Sequence, residues 1–440
     1  MEKVNAIRPI VRGLEQLMKL RIQTGNRLAA NFAHRNKIEV TEVNSPEDFE
    51  KLQKSYDRIL VELKQEYTRI TDAIAVGDAD VAVGKLPRPK KFEPTPLISS
   101  YSELVLVDQY VRLIATEDAG NKQLANALQD IPLYTEYLED IDGVGPKMAA
   151  VIISELDPHK AKYVSSYWAY AGVDTVITGE YTDDKGVTHQ VCWKDILKYY
   201  DENITNEPMM MNGYPVTFVT IGRNRHKVSQ VEHRYLDREK KESVRTGISF
   251  NPFLKTKLVG VLGPSFLKAS TTFMDGEKAN KKERLAKARE MGFDSKAAEP
   301  AIFKLADAFL KENGVKVWTQ YSRFGEVYYA YRRRLENSNK PEHIGLTPAK
   351  IHARANRYAV KEFLRELHIV SRHLEGLPIY QSYEEAKLGY THERNLYIYE
   401  KFGIDTTKLV KNTEQNSNFF PPAIQNYLEQ RNQPCQVVQQ

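Results

Sequence analysis

The sequence predicts a mainly α-helical protein with a helical coiled-coil arm, a helix-hairpin-helix core and an inserted β-hairpin. Three observations predict this fold class: long stretches of helical periodicity, a glycine-bounded turn between two helical segments, and one change to a period of two. The chain has 440 residues, 28% of them charged, and this composition excludes collagen-like and largely disordered proteins. Because the net charge is only +5, a nucleic-acid-binding surface must come from local clusters of basic residues.

The residue types argue against several classes of site. Two cysteines, Cys192 and Cys435, are too few for a disulfide framework or a cysteine-based zinc site. The sequence shows no apolar run suited to a signal peptide or a membrane span, no glycine-rich nucleotide loop and no histidine spacing typical of a metal site. We therefore expect a cytoplasmic protein with no cofactor, no bound metal and no membrane partner.

Residues 1–83 form the predicted helical coiled-coil arm. Between Phe49 and Ala73, seven of eight heptad positions are apolar, which suits a coiled-coil hairpin or a helix-mediated homo-oligomer. The alternative is an intramolecular helical bundle, in which the same residues pack against helices of their own chain. Residues 84–100 follow as a predicted linker, because four prolines fall within thirteen residues there.

The rest of the chain divides into a core at 101–275, a basic helical domain at 276–410 and a flexible tail at 411–440. Within the core, the segment Thr175–Trp193 alternates with a period of two around an Asp-Asp-Lys-Gly turn, which predicts a β-hairpin. The acids beside that turn and His189 are interpreted as turn chemistry rather than as metal ligands.

Residues 137–156 give the most specific local signal, a helix, a tight turn and a second helix, which is the helix-hairpin-helix pattern. Gly143 and Gly145 let the backbone turn sharply, so N–H groups at the start of the second helix can bind a phosphate oxygen, with Lys147 adding charge. The alternative is a simple packing corner. It is favoured by the surrounding charge, because residues 131–207 hold fourteen acids against six Lys and Arg.

Basic clusters interleaved with tyrosines recur in the second half of the chain. There are eight Lys and Arg against four acids in residues 221–245, and six against one in residues 278–289. Such clusters suit phosphate contacts combined with aromatic stacking, whereas a solvated helical face is the alternative. Besides the hairpin residues, we predict DNA contacts at Arg223, Arg225, Lys227, Lys240, Lys241, Arg245, Lys255, Arg332, Arg333, Arg334, Arg354 and Arg357. The helix of Arg354 and Arg357 also carries Lys361 and Arg365.

The segments Asp140–Leu156 and Ser165–Val173, the latter ending in Ala-Tyr-Ala-Gly-Val, resemble the C-terminal domain of the IS110/IS116/IS902 family of transposases. Three further segments resemble that family in the same order: Gly247–Leu258, Tyr328–Leu335 and His352–Leu364. The resemblance spans roughly residues 45–390, with large insertions. It implies a protein that binds DNA, including branched DNA, in recombination or transposition.

The resemblance also carries expectations about catalysis. The family begins with a RuvC-like nuclease domain that holds two Mg²⁺ ions, but this chain starts in the helical segment that normally follows, so we expect no such domain. The family also uses a serine nucleophile ahead of the Gly247 segment, for which Ser243 is the first candidate and Thr220 the second. For Ser243, the alternative is a solvated basic loop.

Three functions therefore stay open from the sequence. The first is a transposase-like protein that binds DNA structure through phosphates. The second is a serine-type recombinase that needs a nuclease domain in trans, and the third is a non-catalytic assembly protein that forms oligomers.

Overall fold

The computed structural model describes residues 2–36, 46–77, 86–191, 209–222, 230–236, 242–297, 301–340, 343–382 and 393–411, with residues 196, 199, 385, 386 and 391. It confirms the mainly α-helical fold class. The chain divides into two compact units, residues 1–131 and residues 132–440.

The first unit is built from three long helices. These are α1 (Glu2–Arg35), α2 (Pro46–Gly77) and α3 (Tyr101–Leu128). The start of α3 is fixed by Ser100, whose hydroxyl accepts a hydrogen bond from the Glu103 N–H. Inside the unit, the Tyr67 hydroxyl donates to Asp108 Oδ1 at 2.7 Å. The core combines apolar residues from all three helices, among them Leu28, Phe32, Ile59, Leu63, Leu104 and Val107.

The apolar seam of the predicted coiled coil lies inside this unit. Ile59 and Leu63 are both buried, and they pack in one core with residues of α1 and α3. The seam thus has partners within its own chain, as in the helical bundle that the sequence left as the alternative. Homo-oligomer formation through these helices stays a prediction.

The proline-rich stretch 84–100 differs from the linker predicted there. Ile98 is fully buried, and Leu86, Phe92 and Leu97 pack against the same three-helix core. The division between the compact units falls after Ile131 instead. Prolines break helices locally, but the apolar side chains between them still bury surface against α1 to α3.

The second unit begins with a π-helical turn, Tyr134–Leu138, followed by α4 (Pro146–Glu155) and α5 (Val164–Tyr170). Its first sheet has the antiparallel order β2–β1–β5, formed by β1 (Thr175–Thr182), β2 (Thr188–Val191) and β5 (Thr217–Gly222). Two antiparallel strand pairs complete this part: β3 (Met210–Met211) with β4 (Tyr214–Pro215), and β6 (Gln230–Leu236) with β7 (Glu242–Ile248).

The β-hairpin predicted from the period of two is present as β1 and β2, with Thr182 opposite Thr188. Asp183 closes its turn, since its Oδ1 accepts hydrogen bonds from the N–H groups of Lys185 and Val187 at 2.9 Å. The other carboxylate oxygen of Asp183 lies 2.8 Å from His189 Nε2. These side chains stabilise the turn, as the residue types predict.

The remaining elements are mostly helical. They are α6 (Pro252–Lys257), a π-helical turn (Leu258–Leu262), α7 (Gly263–Lys268), β8 (Thr271–Met274), β9 (Glu277–Lys278), α8 (Lys281–Glu290), α9 (Ala301–Glu312), β10 (Val317–Gln320), α10 (Arg323–Glu336), α11 (Pro348–Leu374) and α12 (Glu393–Phe402). The three short strands form a second sheet in the order β10–β8–β9. None of the helices described has both the length and the apolar character needed to cross a membrane.

Helix α11 runs through the interior of the second unit. Phe363 packs with Phe266 and Phe324, with ring centroids 5.7 and 5.4 Å away. Nearer the end of the helix, the Arg372 guanidinium donates to the carbonyl oxygens of Pro158 and Pro378, both at 2.7 Å. A buried guanidinium requires such acceptors, so Arg372 ties two loops to α11.

Candidate nucleic-acid interface

Asn251 positions the short helix α6, which carries Lys255. Its Oδ1 accepts a hydrogen bond from the Leu254 N–H at 3.1 Å, and Pro252 occupies the first helical position. Its amide Nδ2 donates to Glu155 Oε2 at 2.7 Å and to the Tyr170 hydroxyl at 3.0 Å. The start of α6 is therefore attached to the ends of both α4 and α5.

Lys255 lies close to basic residues of α11. Its charge interacts repulsively with that of Arg357, and Arg357 in turn experiences repulsion from Arg354. We call Lys255, Arg354, Arg357 and Lys361 the basic cluster. Three of these four residues are among the DNA contacts predicted from the sequence.

The basic cluster holds cations in partly buried positions. The pKa of Lys255 is lowered to about 8, mainly by burial and to a lesser extent by repulsion from Arg357, while Asp174 acts in the opposite direction. Burial is also the main cause of the lowered pKa of Arg357, followed by repulsion from Arg354. The Arg357 Nε is buried and has no hydrogen-bond acceptor among the residues that the structure describes. The cluster therefore carries a desolvation cost that an added anion would offset.

Lys361 extends the cluster towards α5. Its ammonium lies 4.2 Å from the ring centroid of Trp168, and the indole Nε1 donates to the Lys361 carbonyl at 3.1 Å. Burial lowers the pKa of Lys361, against the attraction of Asp174 and Glu362. The Arg365 guanidinium is 5.9 Å from the same ring. One indole thus lies beside two cations of α11.

Two stacked tyrosines connect α10 with α11. The rings of Tyr331 and Tyr358 lie 4.1 Å apart at an interplanar angle of 12°. Arg334 is close enough to Tyr358 to influence its ionisation. Arg332 donates to Glu336 at 2.8 Å, whereas Arg333 and Arg334 are exposed in the last turn of the helix. The basic residues predicted on α10 and α11 therefore lie beside aromatic rings in the structure, as they do in the sequence.

The Gly143–Lys147 turn has two distinct parts. Gly143 has a φ of +93°, and an added Cβ would lie 3.0 Å from the backbone carbonyl of Ser265 in α7, so this glycine is required by packing. Gly145 is the residue before α4, and an added Cβ there would meet no atom within 4 Å. The turn is a packing corner at Gly143 and an open helix start at Gly145. Helix α4 itself packs against α6, the helix of Lys255.

The two candidate nucleophiles lie in different sheets. Thr220 is in β5 opposite Ile177, and Ser243 is in β7 opposite Tyr235. Arg245 follows in β7, whereas five predicted DNA contacts lie outside the described residues: Arg223, Arg225, Lys227, Lys240 and Lys241. Within the described ranges, no group of three His, Cys, Asp or Glu residues is arranged to hold a metal ion.

Comparison with known proteins does not assign the chain to a family. No protein-family model, curated protein or solved structure matches it. The resemblance to IS110/IS116/IS902 transposases accordingly stays a hypothesis, and so does the helix-hairpin-helix assignment. What supports a function is the geometry of the described residues.

The sequence-based list of contacts did not include Lys361 or Trp168. Arg354, Arg357, Lys361 and Arg365 are spaced by three, four and four residues, which places them along one side of a helix. That spacing was available in the sequence as a signal for Lys361. Trp168 had no comparable signal, because its place beside α11 depends on tertiary packing.

Proposed function

We propose that this protein binds nucleic acid through backbone phosphates and that the basic cluster is the centre of the contact surface. The biological setting that we propose is a transposase-like role in recombination or transposition, with DNA as the partner. This setting rests on the sequence resemblance alone. The binding activity rests on the structure around Lys255 and Arg357.

The observation that carries the proposal is the crowding of half-buried cations in the basic cluster. A solvated helical face, the alternative interpretation, would leave each charge in water with its ordinary pKa. Here burial lowers the pKa of both Lys255 and Arg357, and repulsion from Arg357 on Lys255 and from Arg354 on Arg357 lowers them as well. A phosphate anion between α6 and α11 would remove the repulsion and supply an acceptor for Arg357.

The adjacent aromatic rings suit the same ligand class. Trp168 beside Lys361, and Tyr331 stacked on Tyr358, place flat π-surfaces next to the cations. Nucleic-acid-binding surfaces combine these two features, since cations bind the backbone and rings contact bases or sugars.

The test is the salt dependence of DNA binding by the purified full-length chain. We expect affinity with little sequence preference and a slope of log K against log salt of magnitude about 4 to 8. Lys255→Gln with Arg357→Gln should reduce that magnitude by about 1.8, since each lost phosphate contact removes about 0.9. A mobility-shift series with duplex, single-stranded and four-way-junction DNA would show which DNA structure is preferred.

The matched control is Lys304→Gln with Lys311→Gln, which removes two exposed charges from α9. This control changes the net charge by the same amount and should leave the slope within experimental error. The absence of binding in low salt, a flat salt response, or equal slopes for the two double variants would contradict the proposal.

A further inference from the structure

The sheet formed by β8, β9 and β10 has two faces with different surroundings. Val317 is 8% exposed and packs with Met274 in a core that includes residues of α8 and α9. The next residue in β10, Trp318, is 49% exposed. Because side chains alternate along a strand, Trp318 lies on the face opposite to those helices.

The outer face carries a row of three side chains across the strands. Phe273 in β8 is paired with Trp318 of β10 on one side and with Lys278 of β9 on the other. The rings of Phe273 and Trp318 are stacked, with centroids 4.3 Å apart and an interplanar angle of 10°. Two aromatic rings thus lie nearly parallel beside an exposed lysine.

Exposed lysines lie around this row, and two of the three nearby acids bind backbone N–H groups. Lys278, Lys282 and Lys316 are exposed here, where the basic run of residues 278–289 begins, whereas the Lys281 ammonium lies 5.9 Å from the ring centroid of Phe303 in α9. Two nearby acids accept backbone hydrogen bonds: Asp275 Oδ1 from the Lys316 N–H at 3.0 Å, and Glu283 Oε2 from the Asn280 N–H at 2.8 Å. Glu277 of β9, also exposed, is the third nearby acid.

We propose that Trp318 and Phe273 form a stacking platform for an unpaired base of single-stranded nucleic acid, whose backbone is contacted by Lys278 and the neighbouring lysines. A base can extend an existing aromatic stack at little cost in conformational entropy, because the two rings already hold each other in place. Since the platform is on a sheet face separate from the basic cluster, it is a second contact site. This proposal rests on nucleic-acid binding as the proposed function, and it adds that the ligand at this site is single-stranded.

The composition of the outer face favours this ligand over a protein partner. The outward neighbours of Trp318 are Gln320 in β10 and Lys316 just before that strand, and Phe273 has Thr271 in β8. The core of a protein-binding surface is usually a contiguous apolar patch, which a single aromatic pair flanked by charged residues does not provide.

The experiment compares two substitutions of Trp318 on two ligands, a fluorescein-labelled dT oligonucleotide and a duplex of the same length. Trp318→Ala should weaken binding of the dT oligonucleotide about 5- to 150-fold, the range measured when one stacking side chain is removed. Trp318→Phe keeps a ring on Phe273 and should retain most of the affinity. Duplex affinity should be the same for all three proteins, since the bases of a duplex are already stacked.

Two further measurements keep the outcomes distinct. Tryptophan emission should be quenched more strongly by saturating dT oligonucleotide in the wild type than in Trp318→Phe, which reports stacking without a change of fold. Leu305→Ala, a substitution of an exposed apolar residue in α9, is the matched control and should bind as the wild type does.

Equal dT affinity for the wild type and Trp318→Ala, or equal quenching in the wild type and Trp318→Phe, would overturn the platform while leaving nucleic-acid binding intact. A wild-type chain that binds duplex but not the dT oligonucleotide would also overturn it. Failure to bind either ligand would overturn the proposed function together with this inference.

Discussion

The carboxylate of Glu366 in α11 lies 2.9 Å from the guanidinium of Arg323 at the start of α10, and the Glu366 side chain is fully buried. The Tyr137 hydroxyl donates to the same carboxylate oxygen at 3.2 Å. The pKa of Glu366 is raised to about 7, mainly by burial and to a lesser extent by the Glu362 charge, whereas Arg323, Arg394 and Tyr137 lower it. This carboxylate therefore joins three segments of the second unit and titrates near neutral pH.

Stability should consequently depend on pH through Glu366. Its pKa in the folded protein lies above the ordinary value of 4.5, so on raising the pH the unfolded chain loses this proton first. The contribution of Glu366 to stability is therefore complete below about pH 4.5 and is lost as the pH rises to about 7. Glu366→Gln removes the titration. The melting temperature of the wild type should therefore fall relative to that of the variant as the pH rises from 5 to 8.

The control for this measurement is Glu336→Gln, which removes the ion pair with Arg332 at the surface of α10. The difference in melting temperature between Glu336→Gln and the wild type should be constant over the same pH range. A constant difference for Glu366→Gln as well would contradict the raised pKa.

The glycine turn offers a matched pair of substitutions. Gly143→Ala forces a side chain into a φ of +93° against the Ser265 backbone and should destabilise the protein by about 1–3 kcal/mol. Gly145→Val places its side chain in open space and should cost about 1 kcal/mol or less of folding stability, because valine is an unfavourable cap residue.

If the helix start at Gly145 binds phosphate, Gly145→Val should weaken DNA binding by about 1–3 kcal/mol. Thermal melts and mobility shifts on the same preparations separate these effects, and full-strength binding by Gly145→Val would remove the turn from the interface.

The apolar seam of α2 should behave as a core. Leu63→Ala should destabilise the protein by about 2–5 kcal/mol, because it leaves a cavity between three helices. Val61→Ala, which alters a residue 55% exposed on the same helix, should change stability by less than about 0.5 kcal/mol. Denaturant titration gives both values. Sedimentation tests the homo-oligomer separately, since an oligomer that used the exposed face of α2 around Val61 would show a lower mass in Val61→Lys.

Lys255 should make both stability and binding depend on pH in the alkaline range. Because its pKa of about 8 in the folded protein is below the ordinary 10.5, the folded chain releases this proton first, and stability rises as the pH increases through this interval. DNA affinity should fall over the same interval, since the basic cluster loses a charge. Lys255→Met keeps the side-chain length but removes the titration, so its affinity should change less between pH 7 and pH 9. An unchanged pH profile would place Lys255 outside the interface.

Local chemistry in the sequence was sufficient to predict several features. The hairpin around Asp183 follows from turn residues and a period of two, and the need for glycine at position 143 follows from a sharp turn between helices. The mainly helical fold class follows from periodicity over long segments. Each of these signals is contained within about one element of the chain.

Features that depend on contacts between distant segments were harder to predict from the sequence. The prolines of 84–100 indicate a linker, but the burial of Ile98 is decided by α1 to α3. The basic residues were identified as a set, but which of them share one surface depends on the fold. Asn251 attaches α6 to α4 and α5, which brings Lys255 to Arg357, and the sequence gives no sign of that link.

Because Asn251 is hydrogen-bonded to Glu155, the length of α4 separates two parts of the proposed interface, the turn at Gly145 and the start of α6. The helix has ten residues from Pro146 to Glu155, which at 1.5 Å per residue is about 15 Å. One end is the open helix start after Gly145, and the other is tied to the helix of Lys255. Duplex DNA advances about 3.4 Å per base pair along its axis, so the length of α4 corresponds to about four base pairs. If both ends bind phosphate, as we propose, a ligand must present phosphates at that interval, and backbone geometry rather than base identity would decide which nucleic acids bind.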